Sequence, residues 1–306
     1  MKSVLPVLTV VGAILLFWVL AVIPMNMHLT ADQAQRDGLV VSPETPAARQ
    51  DHGGVALTLK NPQLIPLTYV LERPRLPSPH QVGVEMWNTI MGQKVTSRRS
   101  LVYHGWVTLS ATLLGFAMGT GLGVLLAVGI VYNRAMDMSV MPWAIASQTI
   151  PILALAPMII VMLGAIGVQG LLPKAIISAY LSFFPVVVGM VKGLRSPDAM
   201  QLDLLRTYHA SAAQGFWKLR LPASVPYLFA SLKIGISASL VGAIVAELPT
   251  GARAGFGARM LVGDQYGQPI VTWAALFAAA ITAAALVGLF SLIERLTLKR
   301  MGMQAA

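Results

Sequence analysis

The chain contains no cysteine, which excludes disulfide staples, thiolate metal sites and thiol nucleophiles. Charge is scarce as well: Asp, Glu, Lys and Arg make up 11% of the 306 residues, against roughly a quarter in soluble domains. The five histidines are scattered, and no His-Glu-x-x-His arrangement gathers them into a metal centre. No G-x-x-x-x-G-K-[ST] run is present, so the chain has no loop of the kind that cradles nucleotide phosphates. Its carboxylates are dispersed rather than clustered near one membrane face, which leaves no catalytic constellation and argues against an enzyme. What fills the sequence is apolar: 56% of residues are hydrophobic and the mean hydropathy is +0.70, the composition of an integral membrane protein. The net charge of +10 comes from basic residues in ones and twos beside apolar runs. That pattern reads as topology signals and not as a nucleic-acid footprint.

About 20 apolar residues at 1.5 Å each cross a hydrocarbon core of about 30 Å. Six stretches meet this, at about 5–25, 105–131, 141–164, 171–191, 225–247 and 270–293, and predict an all-α polytopic protein with six transmembrane helices. The first is read as a retained anchor, since its apolar run exceeds that of a signal peptide and no A-x-A site follows. With both termini in the cytoplasm, the short inner segments hold ten basic residues: Lys2, Arg134, Lys192, Arg195, Arg206, Lys218, Arg220, Arg295, Lys299 and Arg300. The short outer loops hold three, Lys174, Arg253 and Arg259, and this asymmetry sets the orientation. The chain then divides into an anchor at 1–25, an extracytoplasmic segment at 26–104, and a five-helix core at 105–300 with a cytoplasmic loop at 193–224.

Within the outer segment, "ADQAQRDGLVVSPETPAARQDHGG" (31–54) has the Pro, Gly and charge content of a mobile loop, and a partly ordered loop is an equal reading for 26–75. Residues 76–93 differ. Ser78 or a neighbour caps a short helix that sets Val82, Met86, Trp87 and Ile90 on one face, which predicts an interfacial helix leading into the second span.

The loop between the fourth and fifth spans, "GLRSPDAMQLDLLRTYHASAAQGFWKLRLPASVP" (193–226), has an internal order of its own. Asp198 is placed to cap a short helix with Leu202, Leu205 and Tyr208 at near-helical spacing. Small residues from Ala210 to Gly215 follow, then Phe216, Trp217 and Leu219 interleaved with Lys218 and Arg220, before Leu221-Pro222 opens a new element. Exposed aromatics on such a loop make a surface for a partner. The loop resembles the signature of ATP-binding cassette importer permeases, in which Glu-Ala-Ala is followed by Gly and, at a fixed interval, by Leu-Pro. Asp203, Leu204 and Leu205 stand at the Glu-Ala-Ala positions, His209 at the Gly position, and Leu221-Pro222 closes at the expected interval. Leu205 and His209 depart from the pattern. A turn at His209 that needs positive φ is tolerated at some cost. "LPSP" (76–79), "PILALAPMIIVMLG" (151–164), "FFPVVVGMVKGLR" (183–195) and "VGAIVAELPTG" (241–251) further resemble the permeases of the nitrate, sulfonate and taurine importer group, over roughly residues 76–300.

Other residues invite a reading of their own. Gly115, Gly119 and Gly123 form a small-residue stripe that lets a neighbouring helix approach closely. Pro185 suits a packing kink, whereas Pro151 and Pro157 are read either so or as hinges. Glu247, at the outer end of the fifth span, is read as an interfacial carboxylate in water that caps the next turn, or as part of the outer mouth. Lys233 is read as snorkelling to the inner headgroups, with a gate or path role second. His104 reads as a hydrogen-bonded interface residue, and the sixteen methionines as packing. The outer loop 250–269, with Arg253, Arg259, Asp264 and Tyr266, either touches a binding protein or re-enters the bundle. Arg253 and Arg259 give a basic outer mouth that leans toward an anionic solute.

The resemblance implies a subunit that does no chemistry itself, in the cytoplasmic membrane of a bacterium and surrounded by lipid. It implies cytoplasmic ATPase subunits that bind ATP and Mg, a second permease subunit as a homodimer, and an extracytoplasmic solute-binding protein, with no nucleic acid. The coupling loop would comprise Asp203, Leu204, Leu205, His209, Gly215, Phe216, Trp217, Leu221 and Pro222, and replacing Asp203, Phe216 or Trp217 is expected to break the grip on the ATPase while sparing the membrane fold. The implied solute is a small anion of the nitrate, sulfonate or taurine type, with a pyrimidine-type heterocycle as the alternative. A stand-alone secondary transporter or channel is the rival function, but it asks for inverted repeats or several intramembrane ionisable groups, and neither is visible in the sequence.

Overall fold

The computed structural model describes residues 4–249, 252 and 254–303, and these form helices and turns with no strand. In chain order the helices are α1 (Val4–Arg36), α2 (Pro46–Gln50), α3 (Gly54–Lys60), a 3-10 helix (Pro62–Tyr69), α4 (Pro79–Ile90), α5 (Leu101–Tyr132), α6 (Arg134–Ser147), α7 (Ile152–Ala165), α8 (Leu171–Leu194), α9 (Ala199–Thr207), α10 (Ala212–Gly215), a π turn (Phe216–Arg220), α11 (Leu221–Glu247), α12 (Phe256–Gln265) and α13 (Pro269–Arg300). Among the described residues five helices are long and apolar enough to cross a membrane. The stretch expected as one span at 141–164 is instead the pair α6 and α7, bent by 98° at its break, and counts as a sixth only if the two are taken together. Pro151, the N-cap of α7, explains the break: it has no N–H to give the preceding turn and disfavours helical backbone in the residue before it. The carbonyl of Ser147 at the end of α6 accepts a hydrogen bond from the Tyr180 hydroxyl on α8.

The residues divide into two compact units, Met1–Val102 with Arg259–Ala278, and Tyr103–Ala258 with Ala279–Ala306. In the first, α1 is 33 residues long, about 50 Å of helix, well over the roughly 30 Å of a hydrocarbon core. Its first turns expose Leu8, Leu16 and Phe17, whereas Met27, Ala31 and Ala34 are buried together with Val41, Leu57 and Leu64. The segment read as mobile is therefore folded. Asn26 holds it to α1: its amide donates to the carbonyls of Thr68 at 3.1 Å and Leu76 at 2.9 Å, and its oxygen accepts from the Leu76 N–H at 3.0 Å. Arg49, fully buried, donates to Asp32 at 2.7 Å, Gln35 at 2.7 Å, and the carbonyls of Pro43 at 3.0 Å and Glu44 at 3.2 Å. A planar five-donor head with that many acceptors offsets its desolvation. At 79–90 the helix α4 is present, with Ser78 as N-cap in a capping box with Gln81, the Ser78 N–H donating to Gln81 Oε1 at 3.0 Å. Of its expected apolar face, Val82 is buried and Trp87 is exposed.

In the second unit α5, α8 and α11 enclose a core of Phe116, Phe183, Val186, Met190, Leu232 and Ile236. The glycine stripe of α5 has its partner in α8. A Cβ at Gly119 would stand 2.8 Å from the Ala179 carbonyl oxygen, and one at Gly123 would stand 2.9 Å from that of Phe183. A Cβ at Gly242 of α11 would likewise come within 2.8 Å of the Ser178 Cα of α8. Lipid gives apolar helices no reason to separate from it, so association rests on such close packing and on interhelical hydrogen bonds. Two of these join the three helices: Ser178 donates to the Ser239 carbonyl at 2.8 Å, and Ser239 donates to the Thr112 carbonyl at 2.8 Å. Gly119→Val forces branched atoms into this contact and is expected to lower the melting temperature of the detergent-solubilised chain markedly, as overpacking costs about 1–3 kcal/mol. Gly121→Ala, where an added Cβ meets nothing within 4 Å, is expected to leave the melting temperature unchanged.

Candidate functional site

The loop between α8 and α11 is built on three local devices. The first is the start of α9, where the Asp198 N–H donates to Gln201 Oε1 at 3.2 Å. The second is its end: the His209 N–H bonds to the Arg206 carbonyl at 2.9 Å and the Ala210 N–H to the Leu205 carbonyl at 2.9 Å. That is the hydrogen-bond pattern of a Schellman cap, with His209 as its left-handed residue at φ 54°. A glycine there is free of strain, whereas a Cβ costs about 1 kcal/mol. The third is Ser211, which caps α10 by accepting from the Gln214 N–H at 3.2 Å. The bulk of Leu205 also finds room, 4.0 Å from where a Cβ on Gly215 would project.

The loop is tied to the spanning helices from one side. Arg220 donates to the Leu194 carbonyl, the last of α8, at 2.7 Å, and lies 6.0 Å over the ring of Tyr132. Phe216 sits between Tyr132 and Trp217, with ring centroids 6.0 and 5.1 Å away, and packs on the helical core together with Leu221. Pro222 is the second residue of α11, directly after the π turn, and gives no N–H to the continuous helix there. The other side of the loop is bare. No residue of α9 is buried. Met200, Leu204, Tyr208 and Trp217 are exposed, Tyr208 at 77% and Trp217 at 65%, and the exposed Asp203 pairs with Arg206 at 3.0 Å. The sequence reading grouped Phe216 with Trp217, and Tyr208 with Leu202 and Leu205. In the fold Phe216, Leu202 and Leu205 turn inward while Trp217, Tyr208 and Leu204 turn outward.

The charged residues singled out along the spans are placed differently from the expectation. Lys233 does not snorkel; it pairs with Glu294 of α13 at 2.7 Å, both side chains largely buried, because a partner inside the protein spares both charges from lipid. Glu294 went unread, although a second opposite charge in an apolar helix is a signal for such a pair. Arg259 is not a free mouth residue but lies 3.9 Å from Glu85, mostly buried. Burial lowers the pKa of its guanidinium, Glu85 opposes that shift, and Arg99 adds to it. Arg253 lies outside the described residues.

Glu247 is neither in water nor on a mouth surface: it is completely buried. Thr108 donates to its Oε2 at 2.9 Å, the Gly257 N–H donates to the same oxygen at 3.0 Å, and Lys174 donates to Oε1 at 3.3 Å. Gly255 precedes α12 and Phe256 and Gly257 begin it, and their N–H groups would be orphans without side-chain acceptors. His104 Nδ1 accepts from Gly255 at 3.0 Å, Thr108 Oγ1 accepts from Phe256 at 2.8 Å, and Glu247 takes Gly257. His104 and Thr108 are four apart and so share one face of α5. Gly255 has φ 125° with the Glu247 carboxylate directly against it, so no side chain fits there. Lys174, counted in the sequence only as a loop charge, also donates to the Ala254 carbonyl at 3.0 Å. With Tyr103, Trp106, Ser110 and Gln169 it lines an open groove of about 920 Å³. Removing the Thr108 hydroxyl leaves an N–H and a carboxylate oxygen short of partners, which costs about 1–3 kcal/mol. Thr108→Val is therefore expected to lower the melting temperature, and Thr108→Ser to restore it, when both are measured beside the unaltered chain in one detergent.

Residues 119–303 match the family described as binding-protein-dependent transport system inner membrane component. Over 182 residues the chain is 31% identical to the formylaminopyrimidine transport permease protein ThiX of Halalkalibacterium halodurans, covering 60% of this chain and 68% of that one. It is 30% identical over 227 residues to the riboflavin transport system permease protein RibX of Chloroflexus aurantiacus, covering 73% of this chain and 80% of that one. It is 26% identical over 196 residues to the putative aliphatic sulfonates transport permease protein SsuC of Bacillus subtilis, covering 64% and 69% respectively. With its spanning helices and the matched stretch that contains both the tethered loop and the buried Glu247, this chain belongs to the family of binding-protein-dependent inner membrane components, the permease subunits of ATP-binding cassette importers.

Proposed function

We propose that this subunit forms the translocation path for a small solute and is driven through the loop 193–224 by cytoplasmic ATPase subunits that hold ATP and Mg. In this reading the subunit works as a homodimer in the bacterial cytoplasmic membrane, with both termini inside, and receives its solute from an extracytoplasmic binding protein. The observation that carries the proposal is the two-sidedness of the loop. Met200, Leu204, Tyr208 and Trp217 face outward with no covering element among the described residues, while Arg220, Phe216 and Leu221 fix the same loop to the spanning helices. A motor that grips the first set moves the helices through the second, so nucleotide-driven closure becomes helix motion. The coupling residues are Asp203, Leu204, Tyr208 and Trp217 as the gripped surface, Leu205, His209 and Gly215 as the residues that shape it, and Phe216, Leu221 and Pro222 as the tie.

For the solute, a small anion of the sulfonate or nitrate type is the primary reading, supported by the likeness to the sulfonate permease. A planar heterocycle is the second, supported by the names of the formylaminopyrimidine and riboflavin relatives. Tagging the chain in its native host and extracting it in mild detergent is expected to recover a nucleotide-binding subunit. Trp217→Ala is expected to lose that subunit while keeping its melting temperature. Phe216→Ala is expected to lower the melting temperature by itself, contrary to the equal roles that the sequence suggested. Recovery of the chain alone, together with ATP-independent transport, would sink the reading.

A further inference from the structure

We infer that the groove beside α5, α7 and α8 is a binding site for a small oxyanion and that Lys174 is its contact residue, with Glu247 as the positioning residue behind it. The inference rests on the permease reading, because it takes the groove to be open to a solute, and it names the solute's class. The ion pair of Lys174 and Glu247 is polarised by its burial. Glu247 is completely enclosed, and its oxygens are also held by Thr108 and Gly257, while Lys174 lines the groove and is 13% exposed. The positive end of the pair therefore faces the groove and the negative end faces away. An ammonium has three N–H donors. Two are spent on Glu247 Oε1 at 3.3 Å and the Ala254 carbonyl at 3.0 Å, which fix the direction of the third.

The rest of the lining agrees. Among the described residues no carboxylate lines the groove; the polar side chains beside Lys174 there are the Tyr103 hydroxyl, the Ser110 hydroxyl and the Gln169 amide. Ser110 donates its proton to the Val107 carbonyl at 2.8 Å. Among the described residues a sulfonate, carboxylate or nitrate thus meets the Lys174 ammonium, an amide and no like charge. The counter-charge behind Lys174 keeps the field short-ranged, so attraction is reserved for an anion small enough to reach the ammonium.

The absence of cysteine makes the test direct. Ser110→Cys gives the full-length chain a single thiol in the groove. Its labelling rates are measured with three methanethiosulfonates, the anionic ethylsulfonate, the cationic ethyltrimethylammonium and the neutral methyl reagent, each normalised to a free thiol. The anion-to-cation ratio is expected to fall about fivefold on adding Lys174→Met and to be kept by Lys174→Arg, with the neutral rate unchanged. If Lys174→Met shifts the neutral rate and so disturbs the groove, protection of the Lys174-intact chain decides. Methanesulfonate is then expected to slow labelling by the neutral reagent, and tetramethylammonium to leave it unchanged. A ratio indifferent to Lys174, or in that second case no protection by methanesulfonate, overturns the oxyanion site. Capture of the ATPase does not depend on this groove, so the permease reading would survive that result.

Discussion

Lipid offers a polar group no partner, so every charge or hydrogen-bonding group carried into the spanning region must be satisfied by the protein itself. The arrangement of the second unit follows from that constraint. Ser178 and Ser239 spend their hydroxyls on carbonyls of neighbouring helices. Tyr180 covers the end of α6 where Pro151 breaks the chain, and Lys233 takes Glu294. Glu247 carries the heaviest load, since its carboxylate is fully enclosed and organises Thr108, Lys174 and the first turn of α12 around it. Two glycines make this possible, Gly255 because nothing larger fits against the carboxylate and Gly257 because a Cβ would stand 2.9 Å from that of Glu247.

The same economy bears on the proposal that the subunit is driven through its cytoplasmic loop. A loop held by one contact would absorb a push by bending. Here Arg220 bonds the end of α8, Phe216 and Leu221 pack on the core, and the π turn runs without interruption into α11. Those helices meet through glycines and serines at near-contact distance, and interiors so closely packed transmit displacement rather than absorb it. No residue of α9 is buried in that packing.

Length and composition made most of the helices legible, since runs of apolar residues report helical stretches, but not the break at Pro151 that splits the run at 141–164. The capping residues Ser78 and Asp198 were legible too, because each is a local rule acting on a few neighbouring residues, whereas the left-handed turn at His209 was raised only as a condition, from the Gly position of the resembled signature. The rest depended on partners far apart in the chain. Residues 31–54 were read from their Pro, Gly and charge as a mobile loop, with a partly ordered loop an equal reading for 26–75, but a single buried Arg49 and the amide of Asn26 organise the segment, and composition does not reveal which arginine will be enclosed. Glu247 and Lys233 were noticed for their cost in a membrane, and the cost was real. Their partners Thr108, Lys174 and Glu294 lie 61 to 139 residues away, beyond any spacing rule. Phe216 and Trp217 are adjacent and alike in chemistry, and only the packing of the π turn tells which one faces the core.

The central claim is that the bare side of α9 is covered by a motor subunit in the working complex. The direct measurement is photo-crosslinking in the native membrane, with a benzophenone amino acid in place of Tyr208 and the captured protein identified by mass spectrometry. The account predicts a crosslink to a nucleotide-binding ATPase subunit, and none to it when the probe replaces Leu289, which is exposed on the apolar helix α13. Crosslinking of the Tyr208 probe to lipid or to a second copy of this chain alone would contradict it.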